Sequence, residues 1–261
     1  VAPIAAQTTP IINVTIRGVA LDGDGVASRC LLVQTAATCK FENIAARFAS
    51  VACIETSTVT GSASGLNYIY QCAFENIYIK ASASGIGMLL AGEPAGSGGN
   101  RTVFCLFRQI HITHDDGIGL KLADTDDNAF INVGMSREAG GTGYGLEIVG
   151  DDADAQDINR ANFFFFIWPG PGGVYSNGSK AKHNFIFGLG TEDGPIPVSV
   201  SGSAKIGYIR DDALSNVYWA TVGSSAVAIA HTGTTSETVL ATITIPGSSI
   251  GPNGRVKITT S

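Results

Sequence analysis

The chain has 261 residues, which is enough for one elongated domain or one domain with a small appendage. Charged residues make up 15% and hydrophobic residues 44%, with 33 glycines, a balance that argues against a disordered chain and favours strands and tight turns over helices. The formal charge of −6 argues against a nucleic-acid binder, which needs clustered Lys and Arg, and no apolar run is long enough for membrane insertion.

A short motif recurs along the chain and predicts a solenoid. It is complete at Cys39–Ile44 and returns at Cys72–Ile77 and Cys105–Ile110, two steps of 33 residues each. A looser copy follows at Asn128–Val133, and Asn13–Val19 fits the same frame with Ile16 in the Phe place. Aromatic-rich echoes occupy residues 162–167 and 183–188. A second motif of Gly-x-Gly and alternating apolar residues trails three copies: Gly85–Leu90, Gly117–Leu122 and Gly143–Ile148.

The first motif is typical of a strand, a bend and a second strand. Alternation places Cys72 and Phe74 on one face, and Ile77 resumes that face after Asn76, a residue type that tolerates left-handed backbone. Stacking such turns predicts an all-β fold, a single-chain right-handed parallel β-helix, since neither leucine-rich nor helical-repeat signatures occur. The stacked columns would be Phe41, Phe74, Phe107 and Phe130 inside, Asn43, Asn76, Gln109 and Asn132 beside them, and Cys39, Cys72 and Cys105 as free thiols.

The repeat predicts two regions. Residues 1–212 are expected to form the β-helix, and residues 213–261 a short β-rich C-terminal segment. That segment contains a strand-like run at Thr238–Ile245, a turn-rich stretch, and a second run at Arg255–Thr260.

Two stretches resemble known families. Asn13–Gly25 looks like the opening of a pectate-lyase-like β-helix, and His231–Pro246 with Gly251–Val256 resembles the C-terminal part of bacteriophage tailspike and tail-fibre proteins. The resemblance implies a homotrimer on a virion tail that recognises bacterial surface polysaccharide, such as O-antigen, capsule or exopolysaccharide, and often cleaves it. An N-terminal particle-binding domain and the full trimerisation domain are not recognised. We therefore expect a fragment whose attachment to the tail or baseplate runs through a missing domain.

The register predicts a catalytic pair. Asp115 lies eight residues after Phe107, and Glu138 lies eight after Phe130, so the two carboxylates should be about 5 Å apart on adjacent turns. Such a pair suits a retaining or an inverting glycosidase, depending on its separation. Alternatively, the preceding His114 could abstract a proton while Arg137 neutralises a uronate, which is lyase chemistry. The structural alternative is a simple turn at Asp115-Asp116-Gly117.

Other side chains are candidates for substrate binding. Glu93, Asp124 and Asp151 follow the Gly-x-Gly strands and should stack along one edge, as calcium ligands, hydrolase carboxylates or a solvated edge. We predict no metal site and no cofactor. About half of Phe163–Trp168 should face outward, and Trp168–Tyr175 is predicted to be a protruding loop whose Trp168 and Tyr175 stack on sugars. A subunit interface is the alternative use of these aromatics.

Three functions remain open at this stage. The first is a virion polysaccharide depolymerase, and the second is a receptor-binding or structural tail-fibre protein without chemistry. The third is a secreted pectinase-like enzyme, which the tail resemblance and the lack of a recognisable signal peptide disfavour. Fold alone does not separate them, because function depends on the site.

Overall fold

Strands follow one another along the chain in groups of three, and each group makes one turn of a solenoid. The computed structural model describes residues 11–57, 68–91, 102–123, 125–138, 140–150, 159–178, 181–190, 197–201 and 206–210. Every strand pairs in parallel with its counterpart in the next turn, so the chain builds three parallel sheets. This arrangement confirms the predicted parallel β-helix. In the described ranges, no helix is long and apolar enough to span a membrane.

The three sheets differ in strand length. Sheet 1 contains two-residue strands: β1 (Ile11–Ile12), β4 (Ala36–Ala37), β7 (Ile69–Tyr70), β10 (Thr102–Val103), β13 (Thr125–Asp126), β16 (Asn159–Arg160) and β19 (Ala181–Lys182). Sheet 2 has the longest strands: β2 (Thr15–Asp22), β5 (Lys40–Arg47), β8 (Ala73–Lys80), β11 (Leu106–His114), β14 (Ala129–Arg137), β17 (Phe163–Trp168), β20 (Asn184–Leu189) and β22 (Ile206–Arg210). Sheet 3 comprises β3 (Arg29–Gln34), β6 (Ala52–Ser57), β9 (Ile86–Leu90), β12 (Ile118–Leu122), β15 (Leu146–Val149), β18 (Val174–Asn177) and β21 (Val198–Ser201). A 3₁₀ helix, Gly170–Gly172, joins β17 to β18.

A column of phenylalanine rings forms the core behind sheet 2. Neighbouring rings are stacked with centroids 4.5–4.9 Å apart and planes within 13° of parallel. This spacing matches the separation of adjacent parallel strands, so each ring covers the face of the next. The column confirms the predicted register and gains one further member; it consists of Phe41, Phe74, Phe107, Phe130 and Phe164.

The predicted bend column is also present, on the outside of sheet 2. Asn43, Asn76, Gln109 and Asn132 all have φ between 52° and 55°, the left-handed region in which asparagine is among the least strained residues. Their side chains are exposed, and Asn76 Nδ2 donates to Asn43 Oδ1 at 2.6 Å. The bend shifts the alternation of each strand and keeps both of its halves facing the core.

A buried asparagine ladder continues the cysteine column. Cys39, Cys72 and Cys105 are buried free thiols, as predicted, and Asn128, Asn162 and Asn184 are the corresponding residues of the next three turns. Asn128 Nδ2 donates to Asn162 Oδ1 at 3.0 Å, and Asn162 Nδ2 donates to Asn184 Oδ1 at 2.8 Å. The same oxygens accept backbone N–H groups, which satisfies polar groups inside the core. Sequence reasoning missed this ladder.

The described residues all belong to the first of two compact units, Val1–Tyr218 and Trp219–Ser261. The predicted boundary after residue 212 and the predicted β-rich segment 213–261 lie outside the described residues. Their outcome therefore stays a prediction.

Candidate functional site

Strand pairing brings the predicted carboxylate pair to equivalent positions on adjacent turns. Strands β11 and β14 pair from Leu106 with Ala129 to His114 with Arg137. Asp115 and Glu138 follow these last partners directly, and the Glu138 N–H donates to the His114 carbonyl at 2.8 Å. The parallel-strand spacing puts the two backbones about 4.8 Å apart.

Both carboxylates line a lateral groove with a volume of about 420 Å³. The groove follows the corner after sheet 2 and takes residues from five consecutive turns, a length of about 19 Å at the parallel-strand spacing. A groove that runs along the solenoid axis suits a linear polymer better than a compact ligand. Its lining comprises Asp24, Gly25, Phe48, Lys80, Ala81, Ser82, Ala83, His114, Asp115 and Glu138.

An ion pair crosses the groove. Lys80 Nζ lies 2.9 Å from Glu138 Oε1, although two turns separate their strands, so the lysine side chain reaches past the turn that carries Asp115. The hydrogen bond with Glu138 raises the pKa of Lys80, and its ammonium lies 5.8 Å from the centre of the Phe48 ring. The lining therefore contains three acidic residues, Asp24, Asp115 and Glu138, and one lysine that is already paired. The groove is acidic.

His114 lies in the wall behind the groove with 1% of its surface exposed. Its Nδ1 is 3.1 Å from the Gly117 carbonyl, and its buried Nε2 has no hydrogen-bond partner among the described residues. Burial lowers the pKa of His114, with the nearby Arg137 as a further contribution, so the ring is neutral at pH 7. Strand alternation explains the burial, because Ile110, Ile112 and His114 all point inward from β11.

Arg137 does not line the groove. Its Nη1 donates to the Gly143 carbonyl at 3.4 Å, and the side chain is half-buried. The structure thus brings Asp115 and Glu138 together in the groove, with His114 behind them, and directs the guanidinium of Arg137 elsewhere.

The two aspartates of the turn after β11 have different surroundings. Asp116 Oδ1 accepts hydrogen bonds from the backbone N–H and the hydroxyl of Thr142, at 3.0 and 3.1 Å. Asp116 therefore fits the alternative given above, in which Asp115-Asp116-Gly117 is a simple turn. Asp115 lines the groove instead, and among the described residues it forms no salt bridge.

The predicted protruding loop between Trp168 and Tyr175 is wrong. Pro169 and Gly172 are buried, and the intervening 3₁₀ helix packs against the preceding turn. A Cβ at Gly170 or Gly172 would collide with backbone carbonyl oxygens of that turn. The glycines therefore allow a close approach between backbones, and the segment forms a tight corner.

The predicted sugar-binding aromatics do not line the groove. Trp168 is half-buried at the end of β17, and its indole packs against the backbone at Gly190. Tyr175 lies on sheet 3, where its ring stacks on Tyr144 with a centroid distance of 4.8 Å and its hydroxyl is 3.0 Å from Ser201 Oγ. The acidic edge predicted at Glu93, Asp124 and Asp151 lies outside the described residues.

Sequence reasoning did not identify Phe48 and Lys80 as groove residues. Phe48 has a positive φ of 57°, which is unusual for an aromatic residue and directs the chain around the corner after β5. The signal available for Lys80 was its equivalence with Arg47, since both end a sheet 2 strand. Among the described residues, no group of His, Cys, Asp or Glu side chains is arranged to hold a metal ion.

The fold and the groove define the class: a parallel β-helix protein with an acidic lateral groove that carries two carboxylates on adjacent turns. No family model, curated protein or solved structure matches the chain.

Proposed function

We propose that this chain is the β-helix of a phage tailspike that binds bacterial surface polysaccharide in the acidic groove and hydrolyses it. The observation that carries the proposal is the placement of Asp115 and Glu138 on adjacent turns of a groove long enough for several sugar residues. The tail resemblance supports the phage origin. A homotrimer on the virion tail, in the extracellular phase, is part of the same proposal.

The surroundings of the two carboxylates suggest their roles. Lys80 donates to Glu138, which suits a carboxylate that acts as a nucleophile, whereas Asp115 suits the general acid. Asp115 would protonate the glycosidic oxygen as its bond to the anomeric carbon breaks, and Glu138 would form an ester with that carbon. Asp115 would then deprotonate the water that hydrolyses the ester. The spacing of one turn is close to the carboxylate separation of about 5–5.5 Å in retaining glycosidases.

The charges in the groove favour hydrolysis of an uncharged chain over β-elimination of a uronate. A lyase needs a cation beside the substrate carboxylate, but Arg137 donates to Gly143 and Lys80 is paired with Glu138. The third carboxylate, Asp24, adds to the repulsion of an acidic polymer. The same argument disfavours a pectinase-like enzyme, whose substrate is a polyuronate.

The experiment is incubation with neutral and uronate-containing bacterial polysaccharides, followed by sizing of the products and measurement of ultraviolet absorbance. Shortened products without the absorbance of an unsaturated uronate are expected. Asp115→Asn and Glu138→Gln should each lower the rate by about a hundredfold or more while polysaccharide binding remains. The matched control is Asp116→Asn, because Asp116 belongs to the same turn and bonds Thr142 instead. Full activity in both groove variants would refute the assignment.

A non-catalytic receptor-binding protein is the second candidate. The observation in its favour is the Lys80–Glu138 ion pair, which holds Glu138 in a salt bridge across the turn that carries Asp115. In that case any polysaccharide that binds would be released without being shortened, and Asp115→Asn would change only the affinity for the polysaccharide.

A further inference from the structure

The outer face of sheet 2 changes character along the solenoid. On its first four strands, charged side chains form a ladder of ion pairs across adjacent turns. Lys40 Nζ lies 2.6 Å from Glu42 and 3.0 Å from Glu75, and Arg108 reaches Glu75 at 2.9 Å. The charged side chains on this part of the face therefore pair with one another and face water.

The following strands present a phenylalanine surface. Strands β17 and β20 contain no charged residue, and on β14 the sole charge is Arg137 at its last position. We define the phenylalanine surface by five outward rings, each 37–54% exposed: Phe163, Phe165, Phe166, Phe185 and Phe187. With about 200 Å² per ring, roughly 400 Å² of aromatic surface is open. That area is within the range of the largest apolar patch of a typical monomer, and such patches often mark binding sites.

The orientation of the rings argues against sugar stacking. Phe163 stacks on Phe185 with centroids 5.9 Å apart, and Phe165 stacks on Phe187 at 5.3 Å, with planes within 14° of parallel. Each of these four rings therefore covers one face of its neighbour and leaves its edge on the outer side of the stack. A pyranose ring needs an open aromatic face. Edges instead suit the edge-to-face packing of other aromatic side chains.

Phe166 shows that the fold does not require this surface. It occupies the bend position with φ of 54°, where the other turns have Gly18, Asn43, Asn76, Gln109, Asn132 and Gly188. A large aromatic residue in left-handed backbone is an uncommon and strained choice. Its ring is 54% exposed, so core packing does not repay that strain. Phe104 has the same backbone conformation and a similar exposure, so what distinguishes Phe166 is its place among four other exposed rings.

We infer that the phenylalanine surface is the place where copies of this chain associate. Two full strands without a charged residue have the composition of an interface core, and permanent homo-oligomeric interfaces are the most apolar class of protein interface. A transient protein partner would require polar contacts that β17 and β20 do not offer. Phe166 of each copy, the most exposed ring, is suited to pack against phenyl edges of the neighbouring copy. This inference rests on the homotrimer of the proposed function and names the surface through which it forms; it requires nothing of the groove, so its failure leaves the hydrolysis proposal intact.

The test is sedimentation velocity of the full chain over a range of concentrations, with two surface variants. Phe166→Asn restores the residue type of the other turns, so it should keep or raise stability and weaken association by about tenfold or more, as for loss of an aromatic anchor. The double variant Phe165→Lys with Phe187→Glu replaces a ring stack by an ion pair of the kind that Arg108 and Glu75 form. It should be monomeric with an unchanged circular dichroism spectrum. The control is Phe104→Asn, since Phe104 is 53% exposed and also left-handed, but lies outside this surface.

Four outcomes decide the inference. Association that both surface variants weaken and the control preserves supports it. A monomeric wild type overturns it, and so does association that Phe166→Asn leaves unchanged. A monomeric wild type in which the double variant loses polysaccharide binding would assign the surface to a glycan, also against the inference. If the double variant fails to fold, Phe166→Asn alone decides.

Discussion

Replacing Phe107 by alanine should remove a central element of the core column. The ring is fully buried, and it stacks on Phe74 at 4.9 Å and on Phe130 at 4.7 Å. Phe→Ala in a core costs about 3–5 kcal/mol of unfolding free energy, and aromatic pairs contribute about 0.5–1.5 kcal/mol each beyond burial. Because two such pairs are lost, we expect a cost near the upper end, about 4–5 kcal/mol. Phe107→Leu keeps most of the volume and should cost about 1–3 kcal/mol.

Urea unfolding followed by circular dichroism measures this loss, with hydrogen exchange on β11 as a local probe, since solenoid turns can open separately. The matched control is Phe104→Ala. Phe104 lies in the same turn but is 53% exposed and makes one edge contact with Tyr70, at 5.8 Å between centroids. Its cost should stay below about 1 kcal/mol. Equal destabilisation by the two alanine variants would refute the reasoning, and Phe107→Leu serves if Phe107→Ala does not fold.

Three further predictions concern the ladder, the buried histidine and the thiols. Asn162→Ala leaves buried donors of Asn128 without their acceptor and should lower the free energy of unfolding in urea by about 2–4 kcal/mol. The control is the exposed Asn132→Gly, which should lower it by less than about 1 kcal/mol. Comparable losses in the two variants would contradict the stabilising role of the ladder. Burial holds the pKa of His114 below its usual 6.5, so its neutral form contributes stability above about pH 6.5 that is lost as the pH falls towards the folded-state pKa. The urea midpoint should therefore drop less on acidification in His114→Gln than in the wild type, and an identical drop would count against this. Burial raises the pKa of Cys53 to about 11 and also that of Cys105, whereas a hydrogen bond from Cys105 lowers the pKa of Cys72 to about 7. Because burial keeps a thiol reagent from all of these side chains, the reagent at pH 8 should modify at most the partly exposed Cys30 before unfolding and all five cysteines after it. Rapid modification of several native thiols would disprove the buried column.

The sequence by itself determined the fold and its register. A repeated motif must stack on its own copies to bury its apolar face, so equal positions in successive copies become neighbours. The column from Phe41 to Phe130 and the left-handed bend at Asn43 follow directly, because each position keeps one residue type over several turns. Counting from Phe107 and Phe130 also placed Asp115 beside Glu138. Alternation also predicted that about half of Phe163–Trp168 faces outward, although the left-handed bend at Phe166 decides which residues do.

Only the tertiary structure decided how side chains are used at positions where the residue type changes. The looser motif copy already aligns Asn128 with Cys105, but residue identity does not show that the amides of the following turns form a hydrogen-bonded ladder. His114 is buried because its strand holds its alternation to the last residue, whereas the sequence made it a candidate base beside the two carboxylates. Lys80 pairs with Glu138 two turns away because the two long side chains together span about 10 Å along the solenoid, a distance that no local pattern encodes. Backbone stacking is set by the repeat, but the reach and direction of individual side chains are set by the neighbours that three-dimensional packing supplies.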